Sequence, residues 1–296
     1  MKIRRLLTCF LVLAIGLMTV TAFAQDAGPT FKFSNVKAKG ATETDSYAVN
    51  NAGVIAGDYI DSSGVQHGMI LAGTKLTSFD APNSGTTIAA YGINTANAVV
   101  GWYDSSTGVP TAFMYANGTF ASVAYPGAAS TEANGINDNG WIVGSYVDKK
   151  GVTHGFYWDT KKYHSITVKG AYATAAWAIN NTNVITVYTT ASSGYPVDGY
   201  LLTGTKLTVF DVPGYTQNTL HGINNNGDLD YTVFDASENR HGVLYQASTK
   251  AFTVYDDPSG VNGTRADGLN DSDEMVGRYT PSGASNSVGF KAITKQ

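Results

Sequence analysis

The chain has 296 residues, a formal net charge of −4, and only 14% charged residues, but it contains 33 glycines and 18 tyrosines. This mildly acidic balance, without clusters of lysine and arginine, argues against binding to nucleic acid or to an anionic membrane surface. A chain rich in small, polar and aromatic residues with few charges is typical of many short strands joined by tight turns.

The N-terminal residues 1–24 have the pattern of a secretory signal peptide. Three basic residues precede an apolar run over residues 6–20, and an A-x-A sequence ends at Ala24. We therefore predict a bacterial protein exported to the periplasm or the exterior, with no membrane span after cleavage. Cleavage removes three positive charges, which moves the net charge from −4 to −7.

The mature chain, residues 25–296, is predicted to be one domain. The one cysteine of the sequence, Cys9, lies in the predicted signal peptide, so the exported chain has no thiol and no disulfide. A domain of this size can bury roughly three quarters of the surface of its unfolded chain, which is enough for a stable core. We expect a monomer.

A short sequence occurs six times along the chain: a small residue, then an aliphatic residue, then asparagine. The asparagines are separated by 44, 43, 43, 44 and 46 residues, at Asn50, Asn94, Asn137, Asn180, Asn224 and Asn270. A period in the forties with strand-like content is typical of a β-propeller.

Each repeat contains four strand-like segments joined by three tight turns, followed by a longer connection. The sixth repeat lacks its fourth segment, whereas an unpaired strand-like segment, Phe31 to Val36, precedes the first repeat. Pairing the two would remove the free edges of the sheet. The sequence therefore predicts an all-β, six-bladed β-propeller of four-stranded blades, in which Phe31 to Val36 completes the last blade.

The repeat signature also resembles a known family. It combines G-I-N, an N-x-G turn, I-V-G-x-Y and D-x-x-G with an A-F or H-x-F pair, as in Ala112-Phe113 and His154-Gly155-Phe156. From about Phe31 to Ile293 it is similar to the HAF-repeat extracellular proteins of bacteria. The resemblance implies export and a repeated β architecture, and it implies no established activity.

The repeated asparagines and histidines have structural interpretations. Asparagine at the start of a tight turn can accept hydrogen bonds from its own backbone two residues on. His67, His154 and His241 recur on alternate repeats, but third strands of different blades lie too far apart to share one zinc ion. We therefore predict no metal site and no cofactor, and the sequence leaves open an ion in the channel.

Because features common to all repeats serve folding, we expect function where the repeats differ. The residue before each triplet varies, and it is predicted to lie at the channel mouth near Arg265, Tyr172 and Tyr215. Aromatic faces beside polar groups suit a polyhydroxylated ligand. The predicted ligand-binding residues are Tyr47, Tyr91, Asn134, Tyr172, Trp177, Tyr215, His221, Arg265 and Asp267.

Three functions are compatible with this ring of residues. The first is an exported binding module for a carbohydrate or a cell-envelope polymer. The second is a hydrolase or lyase acting on a polysaccharide or lactone, with Asp230, Asp267 and His221 as the catalytic candidates. The third is a scaffold for protein–protein interaction. No catalytic motif is present in the sequence, which favours binding over catalysis.

Overall fold

The structure is a computed structural model that describes residues 30–82, 84–215 and 217–295. The predicted signal peptide, residues 1–24, lies outside the described residues. The described residues form 24 strands and no helix. This part of the chain therefore contains no helix that could cross a bilayer.

The first twelve strands are β1 Phe31–Val36, β2 Glu43–Val49, β3 Ile55–Ile60, β4 Gln66–Ala72, β5 Lys75–Phe79, β6 Ser84–Ile93, β7 Val99–Ser105, β8 Pro110–Ala116, β9 Thr119–Ser122, β10 Ser130–Ile136, β11 Ile142–Val147 and β12 Thr153–Trp158. The second twelve are β13 Tyr163–Ile166, β14 Ala173–Ile179, β15 Ile185–Thr190, β16 Pro196–Thr203, β17 Lys206–Val209, β18 Asn218–Ile223, β19 Leu229–Phe234, β20 Arg240–Gln246, β21 Ala251–Tyr255, β22 Gly260–Leu269, β23 Met275–Pro281 and β24 Val288–Thr294.

Antiparallel pairing divides these strands into groups of four. The first five groups follow chain order: β2–β5, β6–β9, β10–β13, β14–β17 and β18–β21. The sixth group takes β22, β23 and β24 from the end of the chain, and β1 pairs with β24 over six residues, from Phe31 opposite Thr294 to Val36 opposite Gly289. The prediction of an all-β chain with four-stranded sheets is confirmed.

Neighbouring groups touch through their first strands and through two single-residue bridges. Strands β2, β6, β10, β14, β18 and β22 contact one another in cyclic order. Parallel bridges join Thr44 to Val288 and Arg240 to Gly263, which link the fifth, sixth and first groups. The six first strands therefore surround a common axis, and we call their starting ends the mouth and their finishing ends the Asn end.

The apolar core is divided into six clusters, each at the boundary between two adjacent groups. At the boundary of the third and fourth groups, for example, Val143 and Ile166 pack with Ile179, Ile185 and Leu202. Burying apolar side chains between sheets contributes roughly 25 cal/mol per Å² removed from water. Every group is therefore held mainly by its two neighbours.

The first strands approach each other too closely for large side chains at one position. A Cβ added to Gly135 would lie 2.7 Å from the carbonyl oxygen of Trp177, and one added to Gly268 would lie 2.8 Å from that of Tyr47. This position is the small residue of each triplet. Glycine is needed at these two positions because the neighbouring backbone occupies the space that a Cβ would take.

Candidate functional site

A β-bulge places one side chain of each first strand at the channel. In every group the register between the first and second strands shifts at the same point, so that one or two residues of the first strand have no partner. A bulge redirects the side chain of the extra residue. The residues at this position line one central cavity: Tyr47, Tyr91, Asn134, Trp177, His221 and Asp267.

The structure therefore brings together the six variable residues that the sequence analysis selected, which we call the bulge ring. The cavity that they line has a volume of about 80 Å³, which is room for two or three water molecules at roughly 30 Å³ each. A sugar does not fit inside the channel. Tyr47, Asn134, His221 and Asp267 are buried, whereas Tyr91 and Trp177 keep partial exposure.

The aromatic members of the bulge ring pack against one another. The ring centroids of Tyr47 and Tyr91 are 4.6 Å apart at nearly right angles, and those of Tyr91 and Trp177 are 5.3 Å apart. Trp177 also contacts His221 at 4.8 Å and Tyr188 at 6.0 Å. Such pairs stabilise by about 0.5–1.5 kcal/mol beyond area burial, so these side chains support the fold even where a ligand can reach them.

At the Asn end the six repeated asparagines form a closed cycle of hydrogen bonds. Each Nδ2 donates to the backbone carbonyl of the next asparagine at 3.0–3.3 Å, and Asn270 donates to Asn50. Each Oδ1 accepts from its own backbone two and four residues on, as in Ala52 and Val54 to Asn50. The predicted turn role is confirmed, and the link between repeats is an additional finding.

Around the bulge ring, the sixth and first groups contribute a charged cluster: Asp45, Asp58, Arg265, Asp267 and Arg278. Arg265 Nε donates to Asp267 Oδ1 at 2.9 Å. Arg278 Nη1 lies 3.4 Å from Asp45 Oδ2 and 3.5 Å from Asp267 Oδ2, and its guanidinium stands 4.8 Å above the Tyr47 ring. Burial alone would lower the pKa of Arg278, but these neighbours, Asp267 first, outweigh it and raise that pKa.

Three buried atoms of this cluster lack hydrogen bonds within the described part of the chain: Asp58 Oδ2, Asp267 Oδ2 and Arg278 Nη1. The last two form an ion pair without hydrogen-bond geometry. Asn134 Oδ1, which belongs to a residue lining the same cavity, is also buried without a hydrogen-bond partner among the described residues. Buried polar atoms are nearly always hydrogen-bonded in folded proteins. The wall of the cavity therefore has unused capacity to bind polar groups.

Asp58 is the neutral member of the charged cluster. Burial, followed by repulsion from Asp45, raises the pKa of Asp58 to about 8. Its carboxyl group therefore keeps a proton at neutral pH and can donate a hydrogen bond. Asp45, whose charge repels that of Asp58, is its paired residue across β2 and β3.

His221 is also neutral. Burial, followed by the positive charge of Arg265, lowers the pKa of His221 well below its usual value. Its Nδ1 lies 2.5 Å from the Ala266 carbonyl oxygen. Because a carbonyl only accepts, Nδ1 carries the proton and Nε2 is the acceptor.

Asp230, a catalytic candidate from the sequence, lies behind the channel wall and not among the residues that line the cavity. Its side chain is fully buried, and its Oδ1 accepts from the Tyr255 hydroxyl at 2.7 Å. Burial first, and then the charge of Asp267, raises the pKa of Asp230 well above its usual value. The Tyr255 hydroxyl thus supplies a hydrogen bond to this buried carboxyl group.

Three predicted ligand-binding residues lie outside the cavity lining. Arg265 is half-buried and bonded to Asp267. Tyr172 is 65% exposed in the connection before β14, and Tyr215, in the connection before β18, contacts the ring of His241 at 6.5 Å. Their roles as ligand contacts stay predictions.

The histidines on alternate groups bond within their own groups. His67 Nδ1 lies 2.8 Å from Asp80, His154 Nδ1 lies 3.1 Å from Thr167 Oγ1, and His241 Nδ1 lies 2.8 Å from Asp256. This agrees with the local packing role that the strand spacing predicts.

The charged members on the second strands, Asp58 and Arg278, are not among the residues predicted from the sequence. A signal was present, because aligned repeats place these residues where the other groups have Trp102, Ser145, Tyr188 and Thr232. No residue pattern in the sequence distinguishes the bulges from the regular alternation of a β-strand.

Comparison with known proteins gives a fold and no family. No family model matches the chain, and no curated protein matches it. Among solved structures it is similar to AofleA from Arthrobotrys oligospora, with a TM-score of 0.57 and 11% identity, covering 92% of this chain and 90% of that one.

Two further solved structures are similar at comparable levels. TolB from Acinetobacter baumannii gives a TM-score of 0.54 and 9% identity, and the match covers 87% of this chain but only 65% of TolB. A six-bladed β-propeller lectin of Aleuria aurantia, described with a fucose-recognition mode, gives 0.50 and 11%, covering 80% and 87%. At such identities these likenesses show the fold alone, which is of the β-propeller type.

Proposed function

We propose that this chain is an exported six-bladed β-propeller, closed by pairing of β1 with β24, that binds a carbohydrate or cell-envelope polymer at its mouth. The cyclic contacts of the first strands and the closed asparagine cycle support the six blades and their closure. The signature shared with HAF-repeat proteins and the signal-like residues 1–24 support export.

One observation carries the binding function. At the single end of the channel where the repeats differ, aromatic rings stand beside buried polar atoms that lack hydrogen-bond partners, Asn134 Oδ1 and Asp267 Oδ2. Carbohydrates present apolar C–H faces and hydroxyl groups together, so rings and hydrogen-bonding groups at one place match them. Because the channel is too narrow for a sugar, the ligand would lie at the mouth and contact Tyr91 and Trp177.

The similar solved structures are consistent with this proposal. AofleA and the Aleuria aurantia lectin have a comparable fold, and the latter is described as recognising fucose. Their identity to this chain is too low to transfer a ligand or a binding residue. The fold thus supports glycan binding as a class, and the residues of the mouth define the proposed site.

The test is retention of the mature protein, residues 25–296, on immobilised glycans and cell-wall polysaccharides. We expect specific retention of the unaltered protein and at least a tenfold loss for Trp177→Ala. The matched control is Trp141→Ala, which removes a tryptophan that stacks on Tyr157 at 5.5 Å and does not line the central cavity.

Thermal unfolding of both variants separates binding from stability. If Trp177→Ala folds and is retained as strongly as the unaltered protein, the bulge ring is not part of the binding site. No retention of the unaltered protein on any glycan would overturn the proposed function, and a partner co-purifying instead would favour the scaffold alternative. Release of soluble sugars from a retained polysaccharide would favour the hydrolase alternative.

A further inference from the structure

A pocket of about 270 Å³ opens between the third and fourth groups at the mouth end, apart from the central cavity. We call it the open pocket. Strands β10, β11 and β12 line one side, and β14 and β15 line the other. It is just smaller than the roughly 300–1,000 Å³ that holds a drug-sized ligand. Its size therefore suits one sugar unit and not a longer chain.

The open pocket exists because two side chains are small. Ser145, on a second strand, and Ala175, on the next first strand, both line it. At the equivalent positions between the sixth and first groups, Arg278 lies 3.4 Å from Asp45. By position in the repeat, the other combinations each include at least one larger side chain: Asp58 and Ala89, Trp102 and Glu132, Tyr188 and Thr219, and Thr232 and Arg265.

The lining of the open pocket is rich in hydroxyl groups and holds one carboxyl group. Glu132 is partly buried there, and its carboxyl group makes no hydrogen bond or ion pair with any described residue. Burial, followed by the charge of Asp104, raises the pKa of Glu132. The other polar lining residues are Ser130, Ser145, Tyr146, Thr153, Thr174, Tyr188 and Thr190.

Glu132 and Tyr188 stand on opposite sides of the open pocket. Burial first, and then the nearby Glu132, raises the pKa of Tyr188 to about 12, so the hydroxyl keeps its proton. No hydrogen bond joins the two side chains, although an acceptor and a donor are near each other. A ligand hydroxyl between them could donate to Glu132 and accept from Tyr188, which would satisfy both groups.

The open pocket adjoins the proposed site, because the ring of Tyr188 lies 6.0 Å from that of Trp177 in the bulge ring. We propose that the open pocket is a binding subsite for a single neutral sugar unit, held by hydroxyl contacts to Glu132, Tyr188 and Ser145. This inference rests on the proposed function and adds the position and size of one subsite. A neutral unit is favoured because hydroxyl groups make up most of the polar lining, with Glu132 as the one carboxyl group among the lining residues.

The experiment titrates the mature protein with methyl glycosides of fucose, galactose, glucose, mannose and glucosamine, followed by NMR of the protein. We expect one neutral glycoside to bind at a single site. Ser145→Trp should lower that affinity at least tenfold, because it places in the open pocket the residue type that Trp102 holds at the equivalent position. Glu132→Gln, which keeps the shape, should lower it severalfold.

Ser122→Trp is the matched control, because it adds a tryptophan at an exposed position of β9 and should leave affinity unchanged. If Ser145→Trp does not fold, Glu132→Gln alone decides. Neutral glycosides binding equally to the unaltered protein and to both pocket variants would overturn the subsite. Binding of only the glucosamine glycoside would overturn its neutral specificity.

Polymer retention separates the two proposals. Retention of a polysaccharide by the unaltered protein, without binding of any methyl glycoside, would overturn the subsite and leave the proposed function standing. Absence of both would overturn both.

Discussion

The charged cluster and the open pocket occupy equivalent backbone positions at two different boundaries. Arg278 pairs with Asp45 between the sixth and first groups, whereas Ser145 and Ala175 line the open pocket between the third and fourth. The first pair fills the space with an ion pair and the second leaves a pocket of about 270 Å³. One repeated backbone thus supports either a filled or an open boundary, and two side chains decide which.

The difference teaches where the fold tolerates variation. At the Asn end, both boundaries carry the same bond, from Asn137 to Asn180 and from Asn270 to Asn50. The mouth ends, by contrast, differ in charge and in open space. The repeats therefore keep the contacts that join the groups and vary the residues that face the mouth.

Breaking the charged cluster should have the largest effect. Arg278→Ala leaves Asp45 and Asp267 buried without their shared cation, and removing one partner of a buried ion pair costs about 3–5 kcal/mol. Urea unfolding measures the loss. The control is Lys206→Ala, at an exposed lysine of β17, where we expect a change below about 1 kcal/mol. A similarly small change for Arg278→Ala would show that the cluster does not stabilise the fold.

The proton on Asp58 should make stability depend on pH. Its pKa is raised to about 8 in the fold and is about 3.9 in the unfolded chain. The folded state therefore binds the extra proton between these values, and its contribution is complete below pH 4 and lost as pH rises through 8. The expected slope is about 1.4 kcal/mol per pH unit, or about 2.7 kcal/mol from pH 5 to pH 7.

Asp58→Asn tests this dependence, because the amide cannot titrate and keeps the shape of the acid. Unfolding free energies measured at pH 5, 6 and 7 should fall less steeply in the variant than in the unaltered protein. Parallel pH profiles would mean that Asp58 is already ionised in the fold.

The asparagine cycle should be equally important at both boundaries. Asn137→Ala and Asn270→Ala each remove a buried side chain that donates to the next group and caps its own turn. Each should cost about 1–3 kcal/mol, and the two costs should be similar. Unequal costs in thermal unfolding would show that the Asn ends of the two boundaries differ as well.

Transplanting the ion pair should give the smallest effect. Ser145→Arg and Ala175→Asp place the charged pair of the sixth and first groups at the open pocket. The double variant should be more stable than the sum of the single changes by about 1 kcal/mol, which a double-mutant cycle measures. A coupling near zero would mean that the two boundaries hold these positions at different separations.

Much of the architecture could be predicted from the sequence. The period of the asparagine triplets and the strand-like alternation predict four-stranded sheets, because turn residues and pleat alternation act locally along the chain. The positive φ angles of 53–87° at Gly53, Asn97, Gly140, Asn183, Gly227 and Asp273 follow from the same local chemistry. The variable residue before each triplet could also be selected, because all six positions repeat in the sequence.

Only the tertiary structure decided what those residues do together. Packing between groups has three consequences here. Six bulges direct the bulge ring into a cavity of about 80 Å³, and Arg278 pairs with Asp45 across 233 positions of chain. Ser145 and Ala175 line one pocket. Such contacts depend on the distance between two sheets and on the volumes of both partners, and neither partner's local sequence contains that information. The repeats determine the frame, and the pairing of unlike side chains across its boundaries determines charge, space and access at the mouth.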